Sequence, residues 1–322
     1  MQGLVAVYRK ELADHFSSYR FVILFALIAM VAFITSYMAG VNLKENLEGI
    51  AKPQFVFLML FNHTGALFSL VQFVAFFGPL IGLILGFDAI NRERAHGTLI
   101  KIVSQPIYRD AVINGKFLAG ATTITVMLVA IVLVISGFGL LLLGVVPGFE
   151  EIWRLIFYVI ISIFYISFWL GLSILFSILF RNIATSALAS VALWIFLSFF
   201  VSLGASVLAD SIAPVDTKGG SEQTQMDMTI RNAEIKERVS LFSPMTLYTR
   251  ASATIIDPMR NTTRALVLMG PMEQLSASRF QNPLPLGQSL FVIYPYFAAL
   301  IAISLVCFVI SYLVFMLQEV RT

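Results

Sequence analysis

Charge is what this 322-residue chain has least of. Asp, Glu, Lys and Arg together make up 12% of it, where a soluble domain carries about 25%. So few charges cannot clothe a globular surface in water. Cysteine occurs once, at Cys307, which excludes an intrachain disulfide and any cysteine-based metal site. It reads as a small buried hydrophobe. The histidines are His15, His63 and His96. Long apolar runs separate the segment of His63 from those of His15 and His96, so a three-histidine site is excluded. No G-x-x-x-x-G-K-[ST] occurs: Gly115-Lys116 is followed by Phe117 and lacks the upstream glycine. The chain therefore binds no ATP through a P-loop. Basic blocks and aromatic platforms are also missing, which argues against nucleic acid as a partner. No apolar run carries a charge at its centre, which counts against a proton-coupled carrier.

What the chain does have is apolar length. Hydrophobic residues are 59% of it, mean hydropathy is +0.89, and most of the 29 Phe lie in the apolar runs. These features predict an all-α polytopic membrane protein with six transmembrane helices, at about 21–39, 67–87, 117–144, 155–180, 184–208 and 290–316. The first of these is roughly 28 Å long at 1.5 Å per residue, about the thickness of the bilayer hydrocarbon. Charges precede it and no small-residue cleavage pattern follows a short core, so it reads as a retained span rather than a signal peptide. Residues 2–19 read as an interfacial amphipathic helix with Leu4, Val5, Tyr8, Leu12 and Phe16 on one face. Only Arg181-Asn182 separates the fourth and fifth spans, which predicts a tight antiparallel hairpin.

Within the second span, Gly78, Gly82 and Gly86 fall at i, i+4 and i+8. They form a smooth stripe that lets another helix approach. Pro79 lacks an N–H and bends the helix. The stripe reads first as packing within the chain; a subunit contact and a moving joint are the alternatives. Residues 209–288 are more polar. Ser211–Thr229 reads as a loop rich in Pro, Gly and polar residues. Ser243-Pro244 reads as the cap and first turn of a helix over Met245–Ile256. A further short helix is expected within Thr262–Leu268 or Pro271–Ala277. These short helices are expected to lie against the outer membrane surface.

Asp88–Lys116 is the charge-dense exception between two long apolar stretches. Gly97 permits a sharp change of direction, Thr98 can cap a short helix through Ser104, and Pro106 closes it. A new helix is expected from near Arg109 into the third span. Six spans place both termini on one side. Short segments on that side hold ten Lys and Arg, against three on the other. The excess predicts cytoplasmic termini, a cytoplasmic 88–116 loop and an extracytoplasmic 209–288 segment.

The loop motifs together resemble a known family. Gly86-Phe87-Asp88-Ala89-Ile90, Arg92-Glu93-Arg94, Gly97-Thr98-Leu99, Ser104-Gln105-Pro106, Arg109-Asp110 and Gly115-Lys116, with the N-terminal helix and six spans, are similar to the ABC-2 type permeases of ABC transporters. Ser243-Pro244 and Tyr248 resemble a further feature of several members. The resemblance covers nearly the whole chain, as one transmembrane domain over 1–322. It implies a permease subunit in the cytoplasmic membrane, an exporter of an unidentified substrate, that is not itself an enzyme. It implies no cofactor on this chain. ATP and Mg would belong to a separate cytoplasmic ATPase subunit, and a second or related permease copy would complete the core within membrane lipid. Glu93, Gly97, Thr98, Leu99, Pro106 and Arg109 would form the coupling region. A membrane scaffold and an integral-membrane enzyme acting on lipid are the competing readings.

Overall fold

The structure, a computed structural model, describes residues 2–47, 55–62, 69–98, 107–215, 222–259 and 283–318. Every element in these stretches is helical. They are α1 (Gln2–Ser17), α2 (Tyr19–Leu47), α3 (Val56–Asn62), α4 (Leu70–Gly86), α5 (Asn91–Ala95), α6 (Arg109–Leu143) and α7 (Phe149–Leu179). Next come α8 (Ile183–Ile195), a π-helical turn (Phe196–Phe200), α9 (Val201–Ile212), α10 (Glu222–Ser240), α11 (Pro244–Ile256) and α12 (Leu286–Leu317). Six helical stretches are long and apolar enough to cross a membrane: α2, α4 with α5, α6, α7, α8 through α9, and α12. The protein is an all-α polytopic membrane protein.

Local chemistry sets several helix ends. Ser69 and Gln72 cap the start of α4 reciprocally, each side chain taking the other's backbone N–H. Gly148 donates its amide to Glu151 Oε2 at 2.7 Å where α7 begins. Asn182 accepts from the amide of Ala184 at 2.8 Å to start α8. Gly144, at φ +59°, ends α6 in the left-handed conformation.

Helix α7 is the axis of the bundle, packed by α4, α6, α8, α11 and α12. The glycine stripe of α4 faces it. A Cβ added to Gly82 would stand 2.6 Å from the Ile166 carbonyl oxygen and 2.8 Å from the Leu170 nitrogen; one on Gly86 would stand 2.9 Å from the Leu170 oxygen. Serines bind the same two helices: Ser173 Oγ donates to Leu83 O at 2.9 Å, and Ser177 Oγ accepts from the amides of Ile90 and Asn91.

Pro79 sits inside α4. Having no N–H, it leaves the carbonyl of Ala75 without its helical partner. Tyr165 of α7 donates its hydroxyl to that carbonyl at 2.7 Å. Tyr165→Phe removes the donor and keeps the ring. It is expected to cost about 1–3 kcal/mol, the penalty for a buried acceptor left unmet. A thermal melt of the detergent-solubilised protein measures this; a Phe variant as stable as the parent would remove Tyr165 from this role.

Two elements after α9 differ from expectation. The loop expected over Ser211–Thr229 is helical from Glu222. Helix α10 packs on α9, and Asn232 donates to Asp210 Oδ1 and Ala213 O, each at 2.9 Å. Its sequence carries little apolar signal, and its described side-chain ties to α9 and α11 are polar: Asn232 to Asp210 and Ala213, and Glu237 to Arg250. Helix α11 starts as expected at Ser243-Pro244, but Ser243 Oγ makes no capping bond. Nor does α11 lie across the end of the bundle. It enters it: Tyr248 is buried, stacks on Tyr165 at 4.4 Å, and its hydroxyl meets Ser162 and Tyr158 at 3.1 Å. Tyr165 lies roughly 24 Å along α7 from its start. Polar hydroxyls placed this deep satisfy one another. The helices expected within 262–268 or 271–277 fall outside the described residues.

Arg154 holds α11 in place. It is fully buried and donates to the carbonyls of Thr254, Ile255 and Leu284, to Ser289 Oγ and to Glu150 Oε1. Its guanidinium also lies 5.4 Å from the centre of the Phe55 ring.

Candidate functional site

The α4–α6 segment is built around Glu93. Helix α5 places its side chain inward, 9% exposed. Its Oε1 accepts from Lys116 Nζ at 2.9 Å and from Lys10 Nζ at 3.4 Å. Lys116, on α6, also donates to Glu11 Oε1 at 2.9 Å, and Lys10 donates to the same oxygen at 2.8 Å. Two carboxylates and two ammonium groups thus join α1, α5 and α6. Gly115 allows the crossing: a Cβ there would lie 2.8 Å from Val7 Cγ1.

The docked face of α1 overlaps the expected apolar face only in part. Val7, Glu11 and His15 point inward, at i, i+4 and i+8; of the expected residues Leu4, Tyr8 and Leu12 are half-buried, Tyr8 donating to Thr122 Oγ1 at 3.1 Å, and Val5 and Phe16 are exposed. The charged partner Glu11 lies in the middle of the contact.

This network shifts its members. Burial alone would lower Lys10, but Glu11, Glu93 and Asp14 outweigh it and hold Lys10 above its ordinary value. Burial alone would raise Glu11, but Lys116 and Lys10 hold it below its ordinary 4.5. Burial holds His15 below its ordinary 6.5, and the nearby acids Glu11, Asp88 and Asp14 only partly offset it. Both depressed groups resist protonation in the folded chain. Each contributes stability above its unfolded value that is lost as pH falls through its folded value. Helix α1 is accordingly expected to loosen in two steps as the medium is acidified, the upper one for His15 beginning below pH 6.5 and the lower one for Glu11 beginning below pH 4.5. Amide hydrogen exchange over residues 4–15 reads this. His15→Gln should remove the upper step and Glu11→Gln the lower; exchange protection flat on acidification in the parent would contradict the assignment.

The other residues singled out from the sequence are dispersed. Gly97 has φ +66° and nothing within 4 Å of an added Cβ, so it makes an open turn that other residues adopt with strain. Thr98 Oγ1 donates to the Glu93 carbonyl at 3.2 Å. Arg109 reaches the last helix, donating to Gln318 O at 3.2 Å. Leu99, Pro106 and the helix expected from Thr98 to Ser104 lie outside the described residues, apart from Thr98 itself. Gly78, Pro79, Gly82 and Gly86 are not part of this cluster and lie along the α4–α7 contact.

Several participants pair with residues that no local pattern in the sequence names. Arg94 donates to Gln318 Oε1 at 2.9 Å and to Ile178 O at 3.5 Å. Lys116 and Glu11 are 105 positions apart. Among the described residues no cluster of His, Cys, Asp and Glu could hold a metal ion.

The described part of this segment is thus a charged corner tied to α1, α6, α7 and the end of α12. Residues 5–320 match the family model described as ABC-2 family transporter protein. Over 85 residues the chain is 35% identical to the "Probable ABC transporter permease protein NosY" of Pseudomonas aeruginosa; the match covers 26% of this chain and 29% of that protein. With its six candidate spans and a family match over almost its full length, this chain belongs to the ABC-2 family of transporter membrane proteins.

Proposed function

We propose that this chain is the permease subunit of an ATP-driven exporter in the cytoplasmic membrane, moving a substrate by change of shape and carrying out no covalent chemistry. A separate cytoplasmic ATPase subunit binds ATP and Mg. A second permease copy, identical or related, completes the transmembrane core. Both termini and the 88–116 loop face the cytoplasm and 209–288 faces outward, as the ten-to-three distribution of short-segment Lys and Arg supports.

One observation carries the reading: the α4–α6 corner is tied to four spanning helices at once. Ile90 and Asn91 hang on Ser177 of α7. Glu93 is held by Lys116 of α6. Arg94 and Arg109 hold Gln318 at the end of α12, and α4 leads directly into the corner. A push on this loop from a cytoplasmic ATPase would reach all four helices without an intermediate joint. Glu93, Gly97, Thr98, Leu99, Pro106 and Arg109 are the coupling residues in this reading. In this reading Glu93 acts within the chain. Its basic partners are the chain's own Lys116 and Lys10, so it stiffens the lever rather than presenting a carboxylate to the ATPase.

Gly97→Val tests the lever. A β-branched residue at positive φ costs roughly 1–2 kcal/mol, enough to turn the exposed loop and too little to unfold the bundle. Reconstituted with its ATPase, the variant should keep ATP hydrolysis and lose transport by about tenfold or more. Glu93→Ala should lose flux too, with weaker docking of α1. Parental flux in both variants would defeat the coupling assignment.

A further inference from the structure

The charged corner borders a cavity of about 520 Å³ between α1, the start of α2, the end of α4 and α5. That volume falls in the ordinary range for a small-molecule site. Its two ends differ in chemistry. Phe21, Leu24, Ile84 and Leu85 line one end with hydrocarbon. They lie about one turn inside the spanning parts of α2 and α4, and their neighbours Val22, Ile23 and Leu27 are exposed on the outer face of the bundle. The other end is ionic. It carries four cationic side chains and four carboxylates, so its formal balance is zero.

The cavity thus sits where apolar helix meets water, whichever side that is. An amphiphile fits it better than a soluble anion. A lone anion would draw these cations from their carboxylates and leave the carboxylates bare: Arg20 meets Asp88 at 2.7 Å, and Lys10 meets Glu11, Asp14 and Glu93. A zwitterion can engage both signs. The cations at the mouth are accessible, Arg20 at 60% and Lys10 at 53% side-chain exposure. Deeper in, Glu93 has one oxygen on the lysines, while Oε2 is buried with no hydrogen-bond partner among the described residues. That oxygen lacks an N–H donor. A primary ammonium has three, and a quaternary one has none.

We infer that this cavity binds the headgroup of a membrane phospholipid with a primary amine, phosphatidylethanolamine in chemical class. Its ammonium lies toward Glu93, its phosphate on Arg20 and Lys10, and its glycerol and first methylenes lie against Phe21, Leu24 and Ile84. The bound lipid cements α1 to α2 and α4. The inference goes beyond the transport reading and requires neither an ATPase nor a direction of transport.

Delipidated full-length protein in detergent, titrated with dioleoyl lipids and read by native mass spectrometry, tests it. Phosphatidylethanolamine should bind one per chain. Affinity should fall along the N-monomethyl and N,N-dimethyl lipids to phosphatidylcholine, about tenfold or more in total, the value of one charged hydrogen bond. Leu24→Trp fills the apolar end and should abolish this retention. If that variant does not fold, the methylation series on the parent protein decides alone. Equal binding along the series would overturn the inference, as would tighter binding of phosphatidylglycerol. Undiminished binding to a folded Leu24→Trp would place the lipid elsewhere on the surface. Soluble glycerophosphoethanolamine competing at equal concentration would show that the ligand is not a lipid.

Discussion

Gly82→Ala is expected to sharply lower the yield of folded protein, and Gly82→Val to remove it. The added Cβ meets backbone on α7, the oxygen of Ile166 at 2.6 Å and the nitrogen of Leu170 at 2.8 Å. Backbone cannot rotate away as a side chain can, so the whole of α4 must withdraw from α7. Helix propensity runs the other way, since alanine gains about 1 kcal/mol over glycine in a helix interior. Overpacking costs about 1–3 kcal/mol where neighbours can yield and more where they cannot. Withdrawal would also stretch the Tyr165 and Ser173 bonds to α4, so the clash outweighs the gain. Gly137→Ala is the internal control. It lies in α6 with nothing within 4 Å of its added Cβ, so it should be neutral or slightly stabilising. Melting temperature and monodispersity in detergent are the measurements. A Gly82→Ala protein as stable as Gly137→Ala would refute the close-packing account.

Arg154→Met should release α11 from the bundle at a cost of about 3–5 kcal/mol, the range for breaking a buried, hydrogen-bonded charge. Methionine fills much of the same space but donates nothing. The carbonyls of Thr254 and Ile255, at the end of α11, would lose their donor. Glu150 would retain only the amide of Leu286 at 3.1 Å among its described partners here. Arg154→Lys should recover a minority of the loss, because a single ammonium cannot span acceptors that the guanidinium fork reaches together. Trypsin cleavage after Arg250 reports the release, since the Arg250 side chain is held against Glu237 and over the Tyr296 ring while α11 is seated. An unchanged cleavage rate in Arg154→Met would mean that α11 is held without Arg154.

Membrane class and helix count were legible because an apolar run long enough to cross hydrocarbon has few other fates. The glycines of α4 announced a close helix approach by spacing, but their spacing could not name α7 as the neighbour. The depth of α11 was hidden for a similar reason. Leu247, Tyr248, Ala251 and Ile255 give the same periodic stripe whether the helix rests on a bundle or enters it. Only Tyr158, Ser162 and Tyr165, some ninety positions earlier, supply the polar floor that lets Tyr248 descend. The Glu93 network lies further from what a sequence shows. Glu93 stood out by its neighbours Arg92 and Arg94, yet neither is its partner. Lys116 and Lys10 are, and pairing across that distance leaves no local pattern. Helix α10 was missed because its ties are polar and distant, Asn232 to the end of α9 and Glu237 to Arg250 of α11, rather than an apolar stripe of its own.

The hydroxyl of Tyr165 completes a helix to which it does not belong. One rung of the α4 ladder, at Ala75, is supplied from α7. The bend at Pro79 is therefore a joint property of two helices, and neither can straighten or twist alone without exposing a bare carbonyl to hydrocarbon. With glycine backbone seated on backbone and Ser173 one turn further on, α4 and α7 form a single stiff strut. A movement that keeps this strut whole falls to the helices packed around it, and the α8–α9 helix carries an irregularity of its own in the π-helical turn Phe196–Phe200.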